Sequence, residues 1–189
     1  MKAAIALLAD FQIQNVARRM VFEMSQKTDI EFFGSLLPSH VSVKQPFTFE
    51  NMGQLESWFD SLAARMSPLD IELDSAYYEE WDDYGIIGFS VRETSLLRAL
   101  HNQINTELAS VVKNPSAAHD GDDYRFHLTV ELGKIGPINP YKILFDGLPE
   151  KTVHLSFRAK HLALFYYADK PIRSGSFILY RVMPVGATA

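Results

Sequence analysis

Two four-residue stretches decide how this sequence folds: HVSV at residues 40–43 and HLTV at residues 127–130. In each stretch a histidine is followed by an apolar residue, a hydroxyl residue and a second apolar residue. Because successive side chains of an extended strand point to opposite faces, the histidine and the hydroxyl share one face, and the apolar residues share the other. Each stretch therefore predicts a strand that packs on a core and presents an imidazole beside a hydroxyl.

The pattern around these stretches occurs twice, in residues 1–80 and in residues 81–189. Each half predicts a buried strand, an amphipathic helix, the histidine strand, a second helix and a further strand. With six histidines in the chain, one such stretch could arise by chance, but two at equivalent positions indicate an internal duplication. The last segments, 155–167 and 176–185, predict a closing hairpin.

Composition favours one domain that spans residues 1–189. The chain has 47% hydrophobic residues, enough for a sizeable core, and no low-complexity linker divides it. It contains no cysteine, which excludes disulfides and thiolate nucleophiles and fits a reducing compartment. No apolar run approaches the ~20 residues needed to cross a bilayer. We therefore expect a cytoplasmic monomer with no membrane partner.

The charge distribution favours a small substrate. The net charge of −5 argues against a general nucleic-acid coat protein, whose affinity would come from Lys and Arg. Residues 47–126 carry fifteen acidic and five basic side chains, whereas residues 151–189 carry six basic and one acidic. We expect a small nucleotide or an RNA end as the substrate, flanked by the basic C-terminal region.

The two imidazole-and-hydroxyl faces define the candidate site. Two imidazoles that face each other across a cleft can act as general base and general acid, while hydroxyls stabilise a charged oxygen. This chemistry suits phosphodiester transfer or hydrolysis and needs no metal and no cofactor. The catalytic candidates are His40, Ser42, His127 and Thr129. Lys44 continues the alternation of its strand and is the substrate-binding candidate; the alternative is a solvated lysine at the end of the strand.

Two acidic features near the second motif receive other interpretations. Glu131 continues the alternation of the second strand, but a carboxylate repels phosphate, so we expect an orienting or peripheral role. The segment 119–123 (HDGDD) has no recognisable ligand spacing, and its Asp-Gly-Asp sequence is typical of a turn. We therefore expect no metal ion there.

The chain resembles the two-histidine phosphoesterase superfamily, which includes bacterial 2′-5′ RNA ligases and the cyclic phosphodiesterases of plants and yeast. The family hallmark is a pair of H-x-[ST]-x motifs, matched here by residues 40–47 and 127–132. The C-terminal segments 161–165 and 177–184 also resemble the way these proteins end. The resemblance implies an α+β, bilobal fold with two pseudo-symmetric lobes, each with an antiparallel sheet and helices, around a cleft that carries one motif per lobe.

The resemblance also implies a function. A member of this family would be a metal-independent phosphoesterase that hydrolyses or transfers a 2′,3′-cyclic phosphate or a 2′-5′ phosphodiester of a nucleotide or RNA end. His40 and His127 would flank the phosphate, and the sequence leaves open which is acid and which is base. Ser39 and Phe126 stand where many relatives have proline, which leaves the substrate open. The alternative is a non-catalytic nucleotide- or RNA-end-binding protein with the same fold.

Overall fold

The computed structural model describes residues 1–27, 37–117, 120–136, 139–148, 151–167 and 177–186, with the side chains of 177–180 excepted. Over these residues the chain forms eight strands and four helices. In chain order they are β1 (Lys2–Leu8), α1 (Phe11–Ser25), β2 (His40–Thr48), α2 (Met52–Arg65), β3 (Leu69–Trp81), β4 (Tyr84–Val91), α3 (Ser95–Leu108), β5 (His127–Lys134), α4 (Pro140–Asp146), β6 (Thr152–Ala159), β7 (His161–Tyr167) and β8 (Phe177–Pro184). A short 3₁₀ turn spans Gly121–Asp123.

The eight strands form one sheet in the order β6-β3-β4-β5-β2-β1-β7-β8, and every pairing is antiparallel. We call β2, β1, β7 and β8 the first sheet half, and β6, β3, β4 and β5 the second sheet half. The halves meet between β2 and β5, where Val41 pairs with Leu128. The predicted α+β fold is confirmed, and the two histidine motifs lie on either side of this seam.

The two sheet halves do not coincide with the two halves of the chain. β3, from residues 1–80, pairs with β4 and β6 in the second sheet half. β7 and β8, from residues 81–189, join β1 in the first sheet half. Each half of the chain therefore contributes strands to both sheet halves. Sequence periodicity gives the order of elements along the chain but not which distant strands pair.

The closing hairpin is shorter than the sequence predicts. The segment 155–167 is not one strand, because it breaks at Lys160 between β6 and β7. β6 pairs with β3 at one edge of the sheet, whereas β7 pairs with β1 and β8 in the other sheet half. Only β7 forms the hairpin with β8. The predicted hairpin is confirmed for β7 and β8 but not for residues 155–159, because a continuous apolar pattern does not reveal where a chain passes from one part of a sheet to another.

Asn51 and Thr94, residue types preferred at helix N-caps, directly precede α2 and α3. The Asn51 side chain accepts a hydrogen bond from the Gln54 N–H, and the Thr94 side chain accepts one from the Leu97 N–H. These bonds satisfy amides that have no partner within their own helix. All four helices contribute buried residues to one main core, together with the apolar residues of both motifs: Ile13, Leu55, Leu97 and Leu144 with Val41, Val43, Leu128 and Val130. None of the helices in the described parts of the chain is long and apolar enough to cross a membrane.

The strands separate this helix-covered face from a second face. In β1, the alternate residues Ala3, Ile5 and Leu7 belong to the main core, whereas Ala6 belongs to a different cluster. Since Ala6 pairs with Ser42 on β2, the Ser42 side chain lies on the second face. The sheet therefore uses its apolar residues to hold the helices and keeps its second face for the polar residues of the motifs.

Candidate functional site

His40 begins β2 and lies on the second face of the sheet, half-buried. Its Nδ1 atom lies 2.8 Å from the carbonyl oxygen of Pro38. Because a carbonyl oxygen can only accept a hydrogen bond, Nδ1 carries the proton and the neutral ring has its lone pair on Nε2. The ring also contacts Phe165 of β7, with 4.6 Å between the ring centroids. The backbone and the aromatic ring together fix the direction of the imidazole.

His127 begins β5 and repeats this arrangement in the second sheet half. Its Nδ1 atom lies 3.0 Å from the carbonyl oxygen of Arg125, again two residues earlier in the chain. The ring meets Tyr77 of β3 edge-on, at 6.1 Å between centroids. The same tautomer therefore applies, and Nε2 is the atom that can exchange a proton with a ligand. Two independent backbone contacts select the same reactive nitrogen in both motifs.

The seam brings both motifs together. Val41 pairs with Leu128, and the strands run antiparallel, so each motif histidine lies next to the hydroxyl residue of the opposite strand. Ser42 and Thr129 are half-buried, as the two histidines are. The structure thus brings His40, Ser42, His127 and Thr129 to one place on the second face. An anion at this place would meet two imidazoles and two hydroxyls.

Burial changes the chemistry of His40. Removal from water lowers the pKa of His40 from 6.5 to about 4; the hydrogen bond to Pro38 opposes this shift, and the charge of His127 adds to it. The His40 ring is therefore neutral at neutral pH, with its lone pair ready to accept a proton. The effect of His127 on this pKa also means that the two rings interact electrostatically.

The structure corrects the prediction for Lys44. The pairing of β1 with β2 shifts after Ala6–Ser42, so that Lys44 lies opposite Ile5, and Val43 is left without a partner on β1. This bulge turns Lys44 to the helix side of the sheet, where its side chain is 1% exposed and forms an ion pair with Asp120. Burial lowers the pKa of Lys44, and Asp120 opposes that shift. Lys44 lies away from the imidazoles, because simple alternation fails at the bulge.

The second motif contains an equivalent bulge. The pairing of β4 with β5 shifts between Gly88–Thr129 and Ile87–Glu131, so Val130 is skipped. Glu131 therefore also turns to the helix side, and its side chain is fully buried. One carboxylate oxygen of Glu131 accepts the N–H of Leu132 at 3.0 Å. In both strands the residue after the motif is an ionisable side chain buried behind the sheet rather than a ligand in front of it.

The structure adds an apolar wall beside His40 that the sequence analysis missed. Ala6, Ala163 and Phe165 form a buried cluster on the second face, and Leu8, Leu37 and Tyr167 pack against it. A signal for this wall existed, since the run 162–167 is apolar at every position, which is typical of a strand covered on both faces. The three cluster residues are at most 2% exposed, so the partly exposed Leu8, Leu37 and Tyr167 present the apolar surface beside His40.

The wall beside His127 is more polar. Ser90 pairs with His127 across β4 and β5, and its hydroxyl lies 3.0 Å from the hydroxyl of Ser75 on β3. Tyr77 approaches closely because Gly88 lies opposite it; a Cβ atom at Gly88 would come within 2.8 Å of the Tyr77 ring. The site is therefore asymmetric, with apolar groups near one imidazole and hydroxyls near the other.

The metal prediction concerns a segment that is described only in part. His119 of the 119–123 stretch lies outside the described residues. Asp120 pairs with Lys44, and Gly121–Asp123 form a 3₁₀ turn. Among the described residues, no group of three or more His, Cys, Asp or Glu side chains could hold a metal ion.

Comparisons with known proteins identify the family. The family model of the 2′-5′ RNA ligase superfamily matches residues 17–171. No curated protein sequence matches the chain significantly. The fold is similar to that of TT0787 of Thermus thermophilus, with a TM-score of 0.66 and 13% identity over 100% of both chains. The match to this superfamily confirms the resemblance that the two motifs indicate.

Two structures that contain nucleotides have a similar fold. Escherichia coli LigT complexed with 3′-AMP gives a TM-score of 0.60 at 12% identity, over 98% of both chains. Kluyveromyces marxianus Usb1 with uridine monophosphate gives a TM-score of 0.51 at 14% identity, over 97% of this chain and 98% of that one. At such low identity these matches establish the shared fold.

The pKa of His40 can be measured directly. NMR titration of its imidazole should give a value near 4, because burial disfavours the charged ring. His127→Ala should raise this pKa, since it removes a neighbouring positive charge. The folded protein takes up this proton only near pH 4, whereas the unfolded chain takes it up near pH 6.5. The free energy of unfolding should therefore fall as the pH is lowered from 6.5 to 4, because only the unfolded chain is protonated at His40 in this range.

The His40→Ala variant is the control for the stability measurement. Its free energy of unfolding should depend less on pH between 6.5 and 4 than that of the wild type, with little difference above pH 6.5. A His40 ring that titrates near 6.5 in the folded protein would contradict the buried environment described above.

Proposed function

Because the chain belongs to the 2′-5′ RNA ligase superfamily, we propose that it is a metal-independent phosphoesterase acting on a 2′,3′-cyclic phosphate or a 2′-5′ phosphodiester of a nucleotide or RNA end. The observation that supports this proposal is the pair of imidazoles whose Nδ1 atoms both donate to backbone carbonyls, at Pro38 and at Arg125. Each ring then directs Nε2, the nitrogen able to transfer a proton, away from its own backbone.

The reaction needs one proton acceptor and one proton donor. In hydrolysis of a cyclic phosphate, a water oxygen bonds to phosphorus and its proton passes to one imidazole. The bond from phosphorus to one ribose oxygen breaks, and the second imidazole protonates that oxygen. Ser42 and Thr129 donate hydrogen bonds to the non-bridging oxygens, whose negative charge grows in the transition state. These proton transfers and bond changes balance without a metal ion.

The different surroundings of the two rings suggest their roles. His40 is neutral at neutral pH because burial lowers its pKa to about 4, so we assign it as the base that accepts the proton from water. His127 is then the acid that protonates the leaving oxygen. In the reverse reaction, in which a ribose hydroxyl attacks, the two roles exchange.

The walls of the site suggest the orientation of the substrate. Tyr167, a partly exposed aromatic residue of the apolar wall beside His40, suits the face of a nucleobase. The hydroxyls of Ser75 and Ser90 lie on the His127 side, where a sugar can form hydrogen bonds. The nucleotides in the LigT and Usb1 structures belong to the same chemical class. The proposal includes a monomeric, cytoplasmic enzyme.

A panel of nucleotides tests the proposed activity. The purified protein should turn over 2′,3′-cyclic nucleotides or 2′-5′-linked dinucleotides in the presence of excess EDTA, because its imidazoles supply the proton transfers. A 3′-5′-linked dinucleotide serves as the matched control for linkage. Turnover that disappears on chelation would refute the metal-independent mechanism, and binding without turnover of any compound would favour the non-catalytic alternative.

Substitution of the two histidines tests whether they act as a pair. His40→Ala and His127→Ala should each lower kcat/KM by about 10²–10⁴-fold, and the double variant should lose little more, because residues that act in one step are not additive. Ser42→Ala and Thr129→Ala should lower kcat/KM by a smaller factor, since a hydroxyl stabilises charge without carrying the proton. His154→Ala, at an exposed position of β6, is the matched control and should keep full activity.

A folded His40→Ala variant with wild-type activity would remove the chemical basis of the proposal. Circular dichroism of each variant separates loss of activity from loss of fold. Neither imidazole belongs to the main core, so both single variants should fold.

A further inference from the structure

The backbone of β2 leaves the sheet ladder within the first motif. After Ser42 the pairing with β1 shifts, and Val43 has no partner there. On its other side, β2 pairs with β5 only at Val41. The carbonyl groups of Ser42 and Val43 lie at this register shift, where Val43 has no partner on β1, and a buried carbonyl without a hydrogen bond is costly.

The side chain of Tyr124 forms a hydrogen bond with the first of these carbonyls. Its hydroxyl donates a hydrogen bond to the carbonyl oxygen of Ser42 at 2.9 Å. The residue is 2% exposed and belongs to the main core. Burial raises the pKa of the Tyr124 hydroxyl, so it keeps its proton and remains a donor at all working pH values.

His101 on α3 forms a hydrogen bond with the second carbonyl. Its Nδ1 donates to the carbonyl oxygen of Val43 at 2.9 Å, which leaves Nε2 as an acceptor. Nε2 accepts the N–H of Gly121 at 3.1 Å and the amide of Asn105 at 2.9 Å. Both ring nitrogens are used, and the ring is fully buried, stacked on Tyr124 at 4.3 Å between centroids.

The segment that carries Tyr124 is itself fixed to α3. The Arg98 guanidinium donates to the carbonyl oxygen of Gly121 at 2.5 Å and to that of Tyr124 at 2.7 Å. Asp120, at the start of the same segment, pairs with Lys44 of β2. The first motif is therefore held from behind by residues that come from the second half of the chain.

We propose that Tyr124 and His101 are positioning residues for the first motif, which they hold through the carbonyl groups of Ser42 and Val43. The inference rests on the proposed function, because the motif matters chemically only if it meets a substrate. Both side chains belong to the main core or lie in contact with it, behind the sheet, whereas the Ser42 hydroxyl lies in front. Tyr124 acts through the peptide unit between Ser42 and Val43, and His101 acts through the next one, between Val43 and Lys44.

The physical reason is geometric. A peptide unit is planar, so a hydrogen bond that fixes the Ser42 carbonyl also limits rotation about the bonds that orient the Ser42 side chain. At a bulge the ladder does not supply this restraint. Displacement of a reacting group by about 1 Å can cost on the order of 10²-fold in rate, so loss of one such bond should be measurable.

Tyr124→Phe removes only the hydroxyl and keeps the ring that stacks on His101. It should lower kcat on the order of tenfold, with a smaller change in KM, because the ligand's own contacts remain. In a Ser42→Ala background the same substitution should have little further effect, since the group that it positions is absent. Equal losses in both backgrounds would overturn the inference and indicate a general effect on stability.

Tyr78→Phe is the matched control. The Tyr78 hydroxyl donates to Glu80 at 2.7 Å, on β3 and away from the first motif. Removal of this hydroxyl is the same chemical change, and it should leave kcat unchanged. A loss equal to that of Tyr124→Phe would also contradict a specific positioning role.

Backbone NMR tests the inference without any activity. In Tyr124→Phe the amide resonances of Val43 and Lys44 should shift relative to wild type, whereas Tyr78→Phe should leave them unchanged. Unchanged resonances in Tyr124→Phe would overturn the inference. If the wild-type protein shows no turnover, the proposed function fails, and this NMR comparison still decides whether Tyr124 fixes the backbone.

A pair of His101 substitutions provides rescue. Asn at position 101 can place its amide N–H where Nδ1 stood and donate to the Val43 carbonyl, whereas Leu cannot. His101→Asn should therefore keep more of kcat than His101→Leu, and it should leave the amide resonance of Lys44 closer to wild type. The opposite order would contradict a role for the Nδ1 hydrogen bond.

Discussion

The pairing of Val41 with Leu128 is the constraint on which the rest of the structure depends. It joins β2 to β5 and so joins the two sheet halves. Each partner directly follows a motif histidine, so this contact places both imidazoles on the same face at the seam. Both side chains are fully buried, and burial of apolar side chains of this size contributes about 1.5–3 kcal/mol each. The apolar residues of the motifs thus set the geometry of the polar ones.

The two motifs share a second feature, a bulge directly after the hydroxyl residue. It turns Lys44 and Glu131 to the helix side, where both are buried. Each motif is therefore followed by an ionisable side chain that is buried behind the sheet. The first is anchored by Asp120 and by side chains of α3, which come from the other half of the chain.

The sequence predicts the local features of this protein well. Alternation places His40, Ser42, His127 and Thr129 on one face, and capping residues give the starts of α2 and α3. These features depend on neighbours within a few residues, which the pattern contains. The prediction that Lys44 shares the face of His40 and Ser42 was wrong, because a bulge shifts the register by one residue. Nothing in the alternation of the strand indicates where a bulge occurs. Features that depend on pairing between distant strands could not be predicted. The break at Lys160 occurs because β6 and β7 belong to different sheet halves. The contact between Phe165 and His40 depends on β7 lying beside β1.

A crystal structure of the protein with a nucleoside–vanadate complex, an analogue of pentacoordinate phosphate, tests the central claim most directly. The account predicts that Nε2 of His40 and Nε2 of His127 each lie within about 2.6–3.2 Å of oxygens on opposite sides of the vanadium. The Nδ1 atoms should remain bonded to the carbonyls of Pro38 and Arg125. An analogue bound away from the seam, or in contact with only one imidazole, would contradict it.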